Sequence, residues 1–256
     1  MKNAYLCIDF IATNMKINLF IPCNVDQYAP ETGFRLLQLF ELWNVEVSYN
    51  PQQPCCGKIF YDNGNFNEAR ELSQTLLRGF EPGSPIVTCS AACVSYVRTA
   101  MPELFRHSEQ WSASKAFSNR FVLLEEWLFK ENVADFSQVV FPHKVIVQSH
   151  CQSMRNLPSG RTMEKILKNV RDLIILDNPR EDVCCGGGGF FPVRNESVAM
   201  EMAKNKMEIL KESGVEYLVF NDFDCYRHMK HCAEVYPCAV EPILFSDLLH
   251  KMFFHE

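Results

Sequence analysis

Cysteine is the residue type in this sequence whose number and spacing could do chemistry. There are twelve, at positions 7, 23, 55, 56, 89, 93, 151, 184, 185, 225, 232 and 238. Two adjacent pairs are each followed by glycine, Cys55-Cys56-Gly57 and Cys184-Cys185-Gly186. A single cysteine precedes the first member of each pair, Cys23 by 32 residues and Cys151 by 33. Cys93 and Cys225 follow the second member by 37 and 40. Thiols this dense, in a chain expected to be cytoplasmic and reduced, point to metal or redox chemistry rather than to a disulfide framework. Four thiolates suit either tetrahedral zinc or an iron–sulfur cluster. Structural zinc sites favour pairs separated by two to four residues, whereas neighbouring cysteines fit better where two sulfurs reach different irons of a larger cluster. The glycine after each pair lets the backbone approach such a group closely. Zinc at one site and buried unligated thiols remain the alternatives.

The elements that must position these thiols repeat. The two sets of landmarks are displaced by 128, 129 and 132 residues, which implies an internal duplication. Each upstream cysteine ends a short apolar run, Lys16-Ile-Asn-Leu-Phe-Ile-Pro22 and Lys144-Val-Ile-Val-Gln-Ser-His150, of the kind that forms buried parallel strands. Helical patterns follow over 33–42 and 162–170. Pro85-Ile-Val-Thr88 and Glu216-Tyr-Leu-Val-Phe220 read as further strands, preceded by amphipathic stretches over 67–80 and 197–213, the second closed by Gly214 as a C-cap. Strands alternating with helices imply right-handed βαβ units. The expected fold class is α/β, with two tandem pseudo-repeated parallel-sheet halves, 15–135 and 136–256, carrying their cysteine loops at the strand ends. A helix over 121–130 precedes the join. Residues 1–14 fall outside the repeat, and Met15 is the alternative start.

The spacing also resembles a known family. It is carried by Phe20-Ile-Pro-Cys-Asn-Val-Asp26, Pro54-Cys-Cys-Gly57 with Tyr61-Asp-Asn-Gly64, Val87-Thr-Cys-Ser-Ala-Ala-Cys93, and Val183-Cys-Cys-Gly-Gly-Gly-Gly-Phe-Phe191. These segments resemble the "CCG" cysteine-rich domain, which occurs twice in a subunit of heterodisulfide reductase, in the iron–sulfur subunit of glycolate oxidase and in the lactate utilization A family; the last is the closest resemblance. It covers residues 15 to about 252. It implies a cytoplasmic iron–sulfur protein, with clusters of the 4Fe-4S type, that helps oxidise L-lactate to pyruvate alongside partner subunits, one of them of the ferredoxin type. A heterodisulfide-reductase-like or glycolate-oxidase-like redox subunit and a zinc-bound module without turnover are the alternatives. The implied ligands are Cys23, Cys55, Cys56 and Cys93 in the first half, with Cys89 as a fifth, and Cys151, Cys184, Cys185 and Cys225 in the second. The position matching Cys89 in the second half is Asn221, so the second site is expected to be one thiolate short, and so labile, open at one iron, or absent. Gln148 and Gln152 stand where the family often carries histidine, and His150 is adjacent to Cys151 instead.

Other signals carry less. Gly186 to Gly189 lacks the Lys-Ser/Thr of a Walker loop and the spacing of a dinucleotide fingerprint. Cys225, His228, His231 and Cys232 mimic a zinc site on one helical face, but Cys225 already has a repeat partner. Cys7 and Cys238 read as ordinary thiols, His150 and Arg155 as structural hydrogen-bonding groups, and Glu125-Glu126 as a solvated helix face. There is no Gly-x-Ser-x-Gly, no His-Glu-x-x-His and no Cys-x-x-Cys-x-x-Cys-x-x-x-Cys-Pro run. Any hydride acceptor is therefore expected on another subunit, and turnover by this chain alone is left open. The 256 residues are 47% hydrophobic with a formal charge of −6. That gives core enough for one large or two small domains, excludes disorder, and leaves no basic field for nucleic acid. No run is long enough to span a membrane, and the apolar start is broken by Asp9 with no cleavage site after it, so the expected location is the cytoplasm.

Overall fold

The computed structural model describes residues 15–157, 161–211 and 213–255; Cys7 lies outside them. The first half runs β1 (Lys16–Leu19), α1 (Cys23–Tyr28), α2 (Pro30–Leu42), β2 (Glu46–Tyr49), α3 (Lys58–Asp62), α4 (Phe66–Arg78), β3 (Ile86–Thr88), α5 (Ala91–Thr99), α6 (Trp111–Arg120), β4 (Phe121–Leu123) and α7 (Leu124–Glu131). The second runs β5 (Lys144–Gln148), α8 (Cys151–Asn156), α9 (Thr162–Leu167), β6 (Ile174–Leu176), α10 (Phe191–Arg194), α11 (Glu196–Leu210), β7 (Tyr217–Phe220), α12 (Phe223–Val235), β8 (Glu241–Leu244) and α13 (Phe245–Phe254). Each half forms one four-stranded, wholly parallel sheet, in the orders β2-β1-β3-β4 and β6-β5-β7-β8. The central strands β1, β3, β5 and β7 are almost continuously apolar because helices cover both faces.

Three local expectations differ from the structure. The stretch read as a helix over 121–130 begins as the edge strand β4, since Phe121 and Leu123 pair with Ile86 and Thr88 before the helix starts. The helix expected to run to Gly214 stops at Leu210, and Gly214, at φ +68°, sits in the turn that leads to β7. Glu125 is not solvated: it is 3% exposed, and its neighbour Glu126 is half-buried in an ion pair with Arg98.

That burial follows from how the halves pack. The last helix of each half lies on the second helix of the other, α13 on α2 and α7 on α9. Trp43 meets Phe253 edge-on at 5.7 Å and Phe40 meets Trp127 at 5.6 Å, inside one apolar core that runs through both halves. Thr32 Oγ1 donates to Asp247 Oδ2 at 3.1 Å across the same contact. The duplication therefore builds one body whose two sets of strand ends face each other.

Candidate metal centres

Three pairs of pseudo-equivalent segments carry the thiols. Cys23 opens α1 and Cys151 opens α8, each just after a central strand. Cys93 and Cys225 are the third residues of α5 and α12, each after the other central strand. The Cys-Cys-Gly turns enter from the side. Gly57 has φ +94° and Gly186 φ +88°, a conformation that glycine adopts without cost. A side chain at Gly57 would meet the Ala69 carbonyl at 3.3 Å, and one at Gly186 the Ala199 carbonyl at 2.9 Å. Gly187 is tighter still: a Cβ there would lie 2.8 Å from the Asp224 carbonyl.

In the first half the Cys23 thiol donates to Cys55 Sγ at 3.3 Å and Cys56 donates to Cys93 Sγ at 3.3 Å, and the adjacent Cys55 and Cys56 shift each other's titration. In the second half Cys151 and Cys184, Cys184 and Cys185, and Cys185 and Cys225 are neighbours close enough to shift one another's titration. Each half thus presents a row of four sulfurs. One thiol in each row is held as a thiolate. Hydrogen bonds from Cys23 and Cys56 pull Cys55 down to about 3, and those from Cys151 and Cys185 pull Cys184 down to about 2. The Gly186 N–H adds a bond to Cys184 Sγ at 3.4 Å. Cys23, Cys56, Cys151 and Cys185 are pushed up, first by sharing a proton with the neighbouring sulfur and then by burial. At Cys225 the bond to Cys185 pulls down, but burial and Asp222 outweigh it. The rows deepen inward, from exposed Cys23 and half-buried Cys55, Cys151 and Cys184 to buried Cys56, Cys93, Cys185 and Cys225. An all-sulfur donor set with preformed thiolate and glycine cradles fits a thiophilic group, zinc or iron–sulfur.

Cys89 stands apart from its row. It is buried in the apolar core, its thiol is pushed up by burial, and its largest electrostatic neighbour is Asp247, with Cys93 next. Its counterpart Asn221 is likewise occupied by protein groups. Asn221 Oδ1 accepts from the His150 N–H at 2.9 Å, and Nδ2 donates to Glu125 Oε1 at 2.8 Å. His150 caps α8, its Nδ1 accepting from the Ser153 N–H, and a ring nitrogen lies within 4.8 Å of an Asp222 oxygen and Cys225 Sγ. Gln148 bonds the Ser149 and Glu181 carbonyls. The zinc mimic on α12 is dispersed, with His228 on the Ala199 carbonyl and His231 beside Glu234. Cys238 Sγ lies 3.6 Å from the Val240 carbonyl.

Lys206 and Glu125 are among the groups that no sequence signal marks. Lys206 is 3% exposed, and its Nζ donates to the carbonyls of Arg180 (2.7 Å) and Val183 (2.6 Å), pinning the chain just before Cys184. Burial lowers its pKa, while all four second-half thiols oppose that shift. A lysine inside an amphipathic helix gives no signal of burial. Glu125 is pushed up to about 7 by burial; no local pattern marks it, because the surface that buries it belongs to the other half.

The comparisons with known proteins agree with the doubled site. A family model described as "CCG: Cysteine-rich domain" matches residues 17–98 and again 145–230. Among similar proteins, Lactate utilization protein A of Macrococcus caseolyticus is 30% identical over 213 residues, covering 82% of this chain and 86% of the relative. The protein of the same name from Bacillus subtilis is 26% identical over 212 residues, covering 82% and 89%. Among solved structures, a hypothetical protein from Helicobacter pylori superposes with a TM-score of 0.67 at 9% identity, over 94% of this chain and 49% of that one, a likeness of fold alone. With the model matched in both halves, over more than half of its length, the chain belongs to the CCG cysteine-rich domain family.

Proposed function

We propose that this chain is an iron–sulfur electron-transfer subunit of a multi-protein complex that oxidises L-lactate to pyruvate in the cytoplasm. The observation that carries the reading is the pair of four-sulfur rows at pseudo-equivalent strand ends, in a chain whose relatives bear the name Lactate utilization protein A. Cys23, Cys55, Cys56 and Cys93 hold one group and Cys151, Cys184, Cys185 and Cys225 the other, one in each of the halves 15–135 and 136–256. A bound cluster of the 4Fe-4S type supplies one-electron redox chemistry. The residues around it hold the ligands. Gly57, Gly186 and Gly187 let the turns close on the site, Lys206 fixes the approach to Cys184, and buried apolar side chains keep water from the inner sulfurs. Oxidation of lactate releases two electrons and two protons. With no nucleotide fingerprint in this sequence, the hydride acceptor lies on a partner, and electrons reach or leave this chain singly through a ferredoxin-type subunit. No helix among the described residues is long and apolar enough to cross a membrane.

The test is reconstitution. The purified chain is mixed anaerobically with its partner subunits, and its visible absorbance is followed on adding L-lactate. Bleaching that requires lactate and the partners supports the reading. Absorbance unmoved by lactate in a complex that makes pyruvate contradicts it.

A further inference from the structure

The loops that follow β3 and β7 face each other across the contact between the halves, and a single carboxylate joins them. Asp222 is 1% exposed and is the N-cap of α12, its Oδ1 accepting from the Asp224 N–H at 3.2 Å. Its Oδ2 accepts from Ser90 Oγ at 2.9 Å and from the Ala92 N–H at 2.9 Å. Ser90 is the N-cap of α5 and accepts in turn from the Cys93 N–H at 3.2 Å. Beside this contact the Ala91 N–H donates to the Asn221 carbonyl at 2.9 Å. Ser90 and Asp222 occupy corresponding places, each three residues before a row cysteine, so two N-caps are bonded to each other between the two sites.

We propose that Asp222 is a positioning residue shared by both sulfur rows, fixing Cys93 of the first half as well as Cys225 of its own and setting a negative charge beside both. Three protein donors from both halves hold its two oxygens, which is the arrangement of a positioning group. Its charge acts on Cys225, Cys89, Lys58 and His150, groups from both halves. The inference rests on the rows binding metal but not on which metal they take.

The test isolates the first row. In full-length Cys185→Ser protein, Asp222→Asn is compared with Asp222 for the rate at which the remaining site gives up metal to a chelator under anaerobic conditions. For iron-loaded protein the midpoint potential of that site is also measured. The expected result is roughly tenfold faster release from a site that contains no second-half ligand, with the potential shifted upward because a nearby negative charge is gone. Ser90→Ala, which keeps the charge, should speed release without that shift. If Asp222→Asn does not fold, Asp222→Ser, which restores an N-cap side chain, is measured instead. Release and potential unchanged by the Asp222 substitution would overturn the proposal. A site loaded with zinc would contradict the electron-transfer reading and still report on Asp222 through its release rate.

Discussion

Asn221 Nδ2 donates to Glu125 Oε1 at 2.8 Å, tying the strand end of the second half to the last helix of the first. The same amide accepts the His150 N–H. Where the first half has Cys89, the second has a residue that spends its donor and its acceptor on the scaffold. At this position the halves therefore differ in their packing at the interface.

Asn221→Cys should not strengthen the second site. It leaves the buried His150 N–H and one Glu125 oxygen without partners, at a cost of about 1–3 kcal/mol. Denaturant unfolding should show that loss, with metal retention in the second half equal to or below wild type. Slower release of metal from the variant would mean that position 221 reaches the cluster.

Glu125 gives a pH dependence of definite sign. Burial is the main cause of its rise from near 4.5 to about 7, with Glu126 adding to it and Asn221 and Arg98 opposing it. The folded state holds the proton more tightly than the unfolded one, so this group's contribution to stability is present below about 4.5 and is lost as pH rises through about 7. At about 1.4 kcal/mol per unit the full effect is about 3 kcal/mol. Glu125→Gln keeps an acceptor for Asn221 and abolishes the titration. Its unfolding midpoint should therefore gain on wild type between pH 5 and pH 8; curves that stay parallel would count against the buried carboxyl.

The glycines after Cys184-Cys185 are not equivalent. Gly187→Ala would drive a Cβ to 2.8 Å from the Asp224 carbonyl and from His228 Cβ, whereas a Cβ at Gly188 meets nothing within 4 Å. Gly187→Ala should lose the second-half metal and leave the first, and Gly188→Ala should lie within about 0.5 kcal/mol of wild type. Equal metal content in the two variants would remove the close approach of this loop to α12.

What was legible in the chain was whatever repeats locally. The Cys-Cys-Gly pairs, the strands before Cys23 and Cys151, and the parallel α/β class follow from spacing and short apolar runs. The edge strands did not show: Glu46–Tyr49 is only half-buried, and Glu241–Leu244 contains Pro242, which is tolerated at a sheet edge and lowers any strand signal. Glu125, Lys206 and Asp222 were illegible for a common reason. Their environment is made by residues from about 20 to 130 positions away, and a charged residue in a helix or loop reads as solvated until its neighbours are known.

In the proposed function each half holds an iron–sulfur group on its own four cysteines. Iron, acid-labile sulfide and zinc are to be measured in anaerobically purified wild type, Cys56→Ser and Cys185→Ser. The expected result is a coloured wild type with iron and sulfide in equal amounts, and about half of both lost in each variant while the other half's signal persists. A colourless protein with stoichiometric zinc, or a folded single variant stripped of all iron, would contradict it.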